Sequence, residues 1–343
     1  MKQSVLFFQR ISLLLSAVML LAGCSGSDSE EQEKGEVSQP EIRLNADSWQ
    51  VMEHTRATTF DNASALQTEA HFTCTVYNAN NTTTYITATT VNWVNGTEWL
   101  FSDGKHYWPS SGSLDFFAYM PAEKPSYITS IAYTTARSPQ VTCTNLPMTN
   151  EGQGSSLKEF VYALTTDQNK EGQGVSGVTM KFYHPFARIR FQLSASHPDI
   201  IINSITLKEL KSGGTCTFSN TSGTPMFNAS TWSSWTPSDG TVNFVLSLAG
   251  DAATFNSNPA SAVPIGAYSG GQHRSVDFIM VPQTFAGDIE VNATWTDWGE
   301  SIAHTVSTSI PSLTWAPGTS YTYTFTITET DLKVDTEKFT EQW

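Results

Sequence analysis

Apolar residues recur at every second position along much of this 343-residue chain. Phe72-Thr-Cys-Thr-Val-Tyr77 alternates for most of its length, and so does Ala187-Arg-Ile-Arg-Phe-Gln-Leu193, just after Lys181-Phe-Tyr-His184. Val242-Asn-Phe-Val-Leu-Ser-Leu248 and Asp288-Ile-Glu-Val-Asn-Ala-Thr-Trp295 repeat the theme. Tyr321-Thr-Tyr-Thr-Phe-Thr-Ile327 is the cleanest, with Thr between successive apolar residues. A period of two predicts half-buried strands of antiparallel sheets, and Thr suits their half-wet face. Gly, Asn, Ser and Pro clusters punctuate the strands, as at Ser212-Gly213-Gly214 and Ser269-Gly270-Gly271. Helical spacing is scarce; the best stretch is Asp61-Asn-Ala-Ser-Ala-Leu66, with Asp61 placed to cap it. Many short strands and few helices predict an all-β chain built of β-sandwiches.

Two polar, Gly-rich stretches, 149–156 and 168–174, flank one apolar strand, Phe160-Val-Tyr-Ala-Leu164. They place a domain break near residue 172. The expected organisation is a sandwich over 45–172 and a second over 173–343, the latter ending in a tail strand. Both lengths fall in the usual domain range.

Composition changes the picture in one respect. Charged residues make up only 15% of the chain, yet 32 acids outnumber 18 bases, for a net charge of −14. That balance argues against nucleic acid as partner, because phosphate binding needs clustered Lys and Arg. It also argues against electrostatic docking on an anionic membrane.

The N-terminus carries an address. Lys2 and Arg10 precede a short apolar stretch, Ile11 to Ala22, which is too short to span a bilayer and fits a secretory signal peptide over 1–23. Leu21-Ala22-Gly23-Cys24 resembles the bacterial lipobox. The implied mature chain begins at Cys24, with acyl chains such as palmitate on its thiol and new amino group, enough for stable anchoring. Residues 24–44 read as an acidic tether, and Asp28, Glu30, Glu31 and Glu33 resemble an acidic export signal of Bacteroidota surface lipoproteins.

Catalytic and metal signals are weak. Cys74, Cys143 and Cys216 form no CxxC pair, so zinc-ribbon and thioredoxin readings lack their ligands. Either Cys74 and Cys143 form a disulfide or the thiols are buried and free. The seven His residues form no HExxH, and neither a GxSxG elbow nor a phosphate loop occurs. His184 reads as a packed or edge histidine. The expectation is a non-enzyme with no cofactor and no required metal.

Five local patterns, taken in order, resemble the fimbrillin family, the type V pilus subunits and fimbrillin-like lipoproteins of Bacteroidota. They are Thr55-Arg56-Ala57-Thr58; Tyr107-Trp108-Pro109 followed by Leu114-Asp-Phe-Phe-Ala-Tyr-Met-Pro121; Val178-Thr-Met-Lys-Phe182 through His184 to Ile189; Phe278-Ile-Met-Val-Pro-Gln283; and Trp315-Ala-Pro-Gly318 through Tyr323. Read physically, these segments are core aromatics, strand ends at Pro109, Pro121 and Pro282, and a tight turn at Gly318.

The resemblance implies two tandem transthyretin-like Greek-key sandwiches. It also implies a structural or accessory pilus subunit serving cell adhesion, on the outer membrane as a lipoprotein and in the pilus after processing. Subunits of this kind join by β-augmentation, a neighbour's strand filling a groove left in the sheet. Arg56 matches the position of Arg-specific cleavage, before Ala57. The segment from Ile42 to Val51 alternates enough to be the removable strand. The tail is the donor candidate through Leu332, Val334, Phe339 and Trp343, with a bulge needed between Val334 and Phe339; alternatively it closes its own domain. The expected partners are other pilus subunits, the lipid of the outer membrane, and a host or microbial surface glycan or protein. The competing reading is a surface glycan-binding lipoprotein, with Trp232, Trp235, Trp295 and Trp298 as sugar platforms.

Overall fold

A computed structural model describes residues 39–48, 63–148, 157–173, 176–195, 201–219, 233–238, 240–247, 253–254, 263–264, 268–269, 272–273, 277–285, 287–297, 300–309, 312–327 and 332–342. In chain order the elements begin with β1 (Leu44–Ser48), α1 (Ala63–Glu69), β2 (His71–Asn78), β3 (Thr84–Val94), β4 (Glu98–Phe101), β5 (Leu114–Met120), β6 (Ile128–Ala132), β7 (Gln140–Cys143), β8 (Val161–Gln168) and α2 (Lys170–Gln173). They continue with β9 (Val178–Phe182), β10 (Ala187–Ala195), β11 (Ile201–Leu210), β12 (Gly214–Phe218), β13 (Ser233–Pro237), β14 (Val242–Ser247), β15 (Ala253–Thr254), β16 (Val263–Pro264), β17 (Tyr268–Ser269) and β18 (Gln272–His273). The last are β19 (Asp277–Met280), β20 (Thr284–Phe285), β21 (Asp288–Asp297), β22 (Glu300–Ser309), β23 (Leu313–Thr314), β24 (Thr319–Ile327) and β25 (Leu332–Gln342). The fold is all-β, and the described parts of the period-two segments from Phe72, Ala187, Val242, Asp288 and Tyr321 lie on strands.

The largest sheet has seven strands in the order β8-β5-β2-β3-β4-β1-β9. Its two ends meet, because Tyr162 of β8 bridges Tyr183 just past β9. A four-stranded sheet, β13-β12-β7-β6, packs on it. The remaining larger sheets are β16-β10-β24-β25, with β19 also on β10, and β14-β11-β21-β22, with β15 also on β11.

Two cores explain why β5 and β8 read as nearly continuous apolar runs. Phe116, Ala118, Val161 and Ala163 point into a core with Phe72, Trp99, Trp108 and Phe182. Their sequence neighbours Phe117, Tyr162 and Leu164 point the other way, into a core with Tyr127, Phe160, Phe186 and Phe218. Both faces of these strands are therefore dry, and alternation is lost where it would otherwise mark a wet face. Tyr162 stacks on Phe218 with centroids 3.5 Å apart.

The region expected to divide two domains is bridged by strands from both sides. β1 pairs with β9, and β7 pairs with β12. Gly213 makes the second contact feasible: a Cβ there would stand 2.8 Å from the Cys143 carbonyl oxygen. The Gly pair at 213–214 thus opens a strand rather than a turn. The three described cysteines are buried and form no disulfide. Cys74 lies in the first core and Cys143 and Cys216 in the second, so Cys74 and Cys143 are not bonded to each other.

Candidate functional site

The segment 39–48 enters the fold as an inserted strand. The last residues of the expected tether are already bonded to the fold: Trp108 N donates to the Pro40 carbonyl at 3.0 Å, and Ile42 N donates to the His106 carbonyl at 2.8 Å. Tyr107-Trp108-Pro109 thus both fills the core and holds the incoming strand. Beyond it, β1 lies between β4 and β9. It runs parallel to β9 over five positions, Leu44↔Val178 to Ser48↔Phe182, and meets β4 antiparallel at Leu44↔Trp99 alone.

The alternation of Ile42, Leu44 and Ala46 explains how β1 seats. Ile42 and Leu44 are each 3% exposed, and Ala46 is partly buried against the same core. Beneath them lie Leu66 of α1 and an aromatic group in which Phe72 stands 5.0 Å from Trp99 and 5.3 Å from Phe182. Burying Ile42 and Leu44 contributes about 1.5–3 kcal/mol each. Arg43 and Asn45, which alternate with them, are exposed. Asn45 Nδ2 donates to the Ser176 carbonyl at 2.6 Å, and Val178 N donates to the Arg43 carbonyl at 2.7 Å. Gly177, at φ +79°, permits this approach, since a Cβ there would stand 3.1 Å from the Arg43 oxygen.

β9 is also held from its other side. Tyr162 N donates to the Tyr183 carbonyl at 3.1 Å, Tyr183 N donates to the Tyr162 carbonyl at 2.8 Å, and Thr165 Oγ1 donates to the Thr179 carbonyl at 3.0 Å. Burial, with the Asp47 carboxylate adding to it, raises the Tyr183 phenol above its ordinary range. The slot that β1 fills therefore has walls with their own supports.

Two buried polar clusters stiffen the surrounding sheet. Asp115, fully buried, accepts from Arg137 Nε at 3.0 Å, Asn80 N at 2.8 Å and Asp167 N at 2.8 Å, while Arg137 Nη2 also bonds Asp167. Glu159 and His184 form the other, with Oε1 and Nδ1 2.9 Å apart and both side chains buried. His184 is thus a packed histidine, though it lies between β9 and β10 and not on a strand. Asp115 went unrecognised in the sequence, where a lone acid in Leu114-Asp-Phe-Phe carries no signal of its distant partners.

The expected donor segment forms β25, which pairs antiparallel with β24 of its own chain. Leu332 lies opposite Ile327, Val334 opposite Phe325 and Phe339 opposite Ser320. The ladder runs unbroken from Val334 to Phe339, and its irregularity falls past Phe339, not before it. Cys24, Arg56, Ala57, Trp343, Trp232 and Trp298 lie outside the described residues. Trp235 is on β13 and Trp295 on β21. Among the described residues no group of three His, Cys, Asp or Glu side chains is placed to hold a metal ion. Among them, too, no helix is long and apolar enough to cross a membrane.

The other family-like patterns prove structural. Trp315 Nε1 donates to the Tyr323 hydroxyl at 2.7 Å, and the Tyr321 hydroxyl donates to the Thr314 carbonyl at 3.0 Å. Gly318, at φ +59°, turns the chain into β24. Gln283 clamps Lys211 from both sides, its Oε1 accepting from Lys211 N at 2.8 Å and its Nε2 donating to the Lys211 carbonyl at 3.0 Å.

The sequence profile described as fimbrillin-like matches residues 55–343. Among solved structures, the chain is similar to a fimbrial protein from Bacteroides vulgatus ATCC 8482, at 16% identity and TM-score 0.53, over 89% of this chain and 99% of that one. It is also similar to a candidate cell adhesion protein from Bacteroides ovatus ATCC 8483, at 16% identity and TM-score 0.50, over 89% of this chain and 98% of that one. A third, a candidate cell adhesion protein from Bacteroides uniformis ATCC 8492, matches at 13% identity and TM-score 0.50, over 89% and 98%. At such identities the likeness is one of fold. No curated protein matches the chain.

Proposed function

The chain belongs to the fimbrillin-like family, and from that premise we propose that it is a structural subunit of a surface pilus that assembles by strand exchange. The observation that carries this reading is the seating of β1. It is a short strand inserted between β4 and β9, its apolar residues fill a prepared aromatic core, and β9 stays bonded to β8 without it. A strand lost from such a place leaves two rows of backbone groups and an apolar groove. A strand from another copy satisfies both.

In this scheme Cys24 carries the lipid that holds the precursor at the outer membrane. An Arg-specific protease cuts between Arg56 and Ala57, which lie after β1, so the cut severs β1 and the anchor from the rest of the chain. The donor is the tail, with Leu332, Val334, Phe339 and Trp343 as its apolar residues. β25 lies at the end of its sheet, bonded through β24, so its release leaves the β10–β24 pairing in place. The role is architectural and adhesive, with no catalytic step.

The test is to treat the full chain in detergent with an Arg-specific protease and follow it by size exclusion and negative-stain microscopy. Arg56→Ala and a truncation at Thr328 run in parallel. Filaments from the cleaved chain, and from neither variant, are expected. A chain that is cleaved elsewhere, or that stays monomeric after the cut at Arg56, would contradict the processing step. A truncation that still polymerises would remove the tail as donor.

A further inference from the structure

A cleft of about 490 Å³ is lined by none of the residues that hold β1. That volume lies within the roughly 300–1,000 Å³ of small-molecule sites. Its walls include Trp235, Lys211, Pro282, Thr284, Thr314 and Pro317. We propose that this cleft binds a saccharide that carries a carboxylate.

The first argument is the indole. Trp235 is half-buried, its Nε1 donates to the Pro185 carbonyl at 2.6 Å, and its ring packs on Phe186 with centroids 5.3 Å apart. The ring is held in one orientation and its own hydrogen-bond demand is met. What it offers the cleft is a rigid apolar surface, the kind on which the C–H face of a pyranose packs at little entropic cost.

The second is the pair of hydroxyls. Thr284 and Thr314 lie opposite each other on β20 and β23, both exposed, with their Oγ1 atoms 3.1 Å apart. One hydroxyl donates to the other, which leaves one donor and several lone pairs between them. Adjacent sugar hydroxyls suit that arrangement.

The third is charge. The Lys211 backbone is fixed by Gln283, and its ammonium has no ion-pair partner among the described residues. In a chain of net charge −14, a cation with no ion-pair partner among the described residues is a local positive spot at the cleft. It favours a ligand with a negative group over a neutral one. A proline-rich peptide fits less well. Grooves for such peptides use several exposed aromatics, whereas Trp315 here is 1% exposed and bonded to Tyr323.

The site does not rest on the pilus reading. The test is calorimetry on the full chain in detergent with sialyllactose and a hyaluronan oligosaccharide, each compared with lactose and cellobiose, and with a polyproline peptide. At least one charged sugar is expected to bind about tenfold or more tighter than the neutral ones, the worth of one charge-assisted hydrogen bond. Lys211→Gln should erase that preference, because the Gln283 clamp holds the backbone and not the ammonium. Trp235→Phe should weaken all the sugars while the thermal midpoint is followed as a folding control, and Thr284→Val supplies a second, exposed variant. Failure of both charged sugars to bind would overturn the proposal. So would a preference that survives Lys211→Gln, or polyproline binding that Trp235→Phe abolishes while sugar binding persists.

Discussion

Tyr162 and Tyr183 exchange both of their backbone hydrogen bonds, at 3.1 and 2.8 Å, and so join the two ends of the seven-stranded sheet. β9 is consequently bonded to β8 on one side and to β1 on the other. The pairing ties down β9, which would otherwise be the free end of the sheet, and gives the place of β1 walls that do not depend on it.

Truncating the residue at the centre of that insert should loosen it without dissolving the fold. Leu44→Ala is expected to cost about 2–5 kcal/mol, the range for a buried leucine whose cavity only partly collapses. The circular-dichroism spectrum should be preserved while the denaturant midpoint falls. An unchanged midpoint would mean that β1 adds nothing to the stability of the sheet.

The strands were legible where polar and apolar residues alternate along the chain. Phe72 to Tyr77 is legible although both of its faces are buried, because Thr73 and Thr75, and not apolar residues, stand between Phe72, Cys74 and Val76. Val161 to Gln168 carried only the signal of an apolar run, since Tyr162 and Ala163 enter different cores. The short helix Ala63–Glu69 was visible through its Leu66 spacing. The site was legible in outline: the alternation of Ile42 and Leu44 announced a strand. Its parallel pairing with Val178–Phe182 was not, because strand partners more than a hundred residues apart leave no local mark. Nor was the Asp115–Arg137 pair, whose members stand on β5 and in the loop between β6 and β7 with nothing in common but charge.

That pair gives the second prediction. Asp115→Asn leaves the Arg137 guanidinium with weaker partners in a place where its side chain is 10% exposed. Breaking one side of a buried pair costs about 3–5 kcal/mol. Arg137→Met together with Asp115→Leu should cost less than the two single changes added. Equal, additive losses in a double-mutant cycle would show that the two side chains act independently.

The buried thiols and phenols predict an alkaline weakness. Burial pushes the Cys143 thiol up to about 12 from an ordinary 9.0, and the Tyr133 phenol up to about 12 from 10.0. Burial raises the Cys74 thiol as well. Raised values in the folded state mean that the unfolded chain loses these protons first. Their contribution to stability is complete below about pH 9 and is lost progressively as the pH climbs toward 12. Denaturant midpoints should hold steady up to pH 9 and then fall. In the native protein at neutral pH the three buried cysteines should resist a thiol reagent, and all should react in guanidinium. Rapid labelling of Cys74 or Cys143 in the native state would contradict the packing.

The measurement that tests the central claim most directly is a reversible lock on β1. Asp47 and Lys181 are register partners on β1 and β9, so Asp47→Cys with Lys181→Cys places two thiols at neighbouring positions on adjacent strands. The oxidised protein should still be cut after Arg56, yet form no filaments, because β1 cannot leave its slot; adding reductant should release assembly. Filaments that grow equally well from the oxidised, cleaved protein would show that β1 never vacates its place, and that subunits join by some other surface.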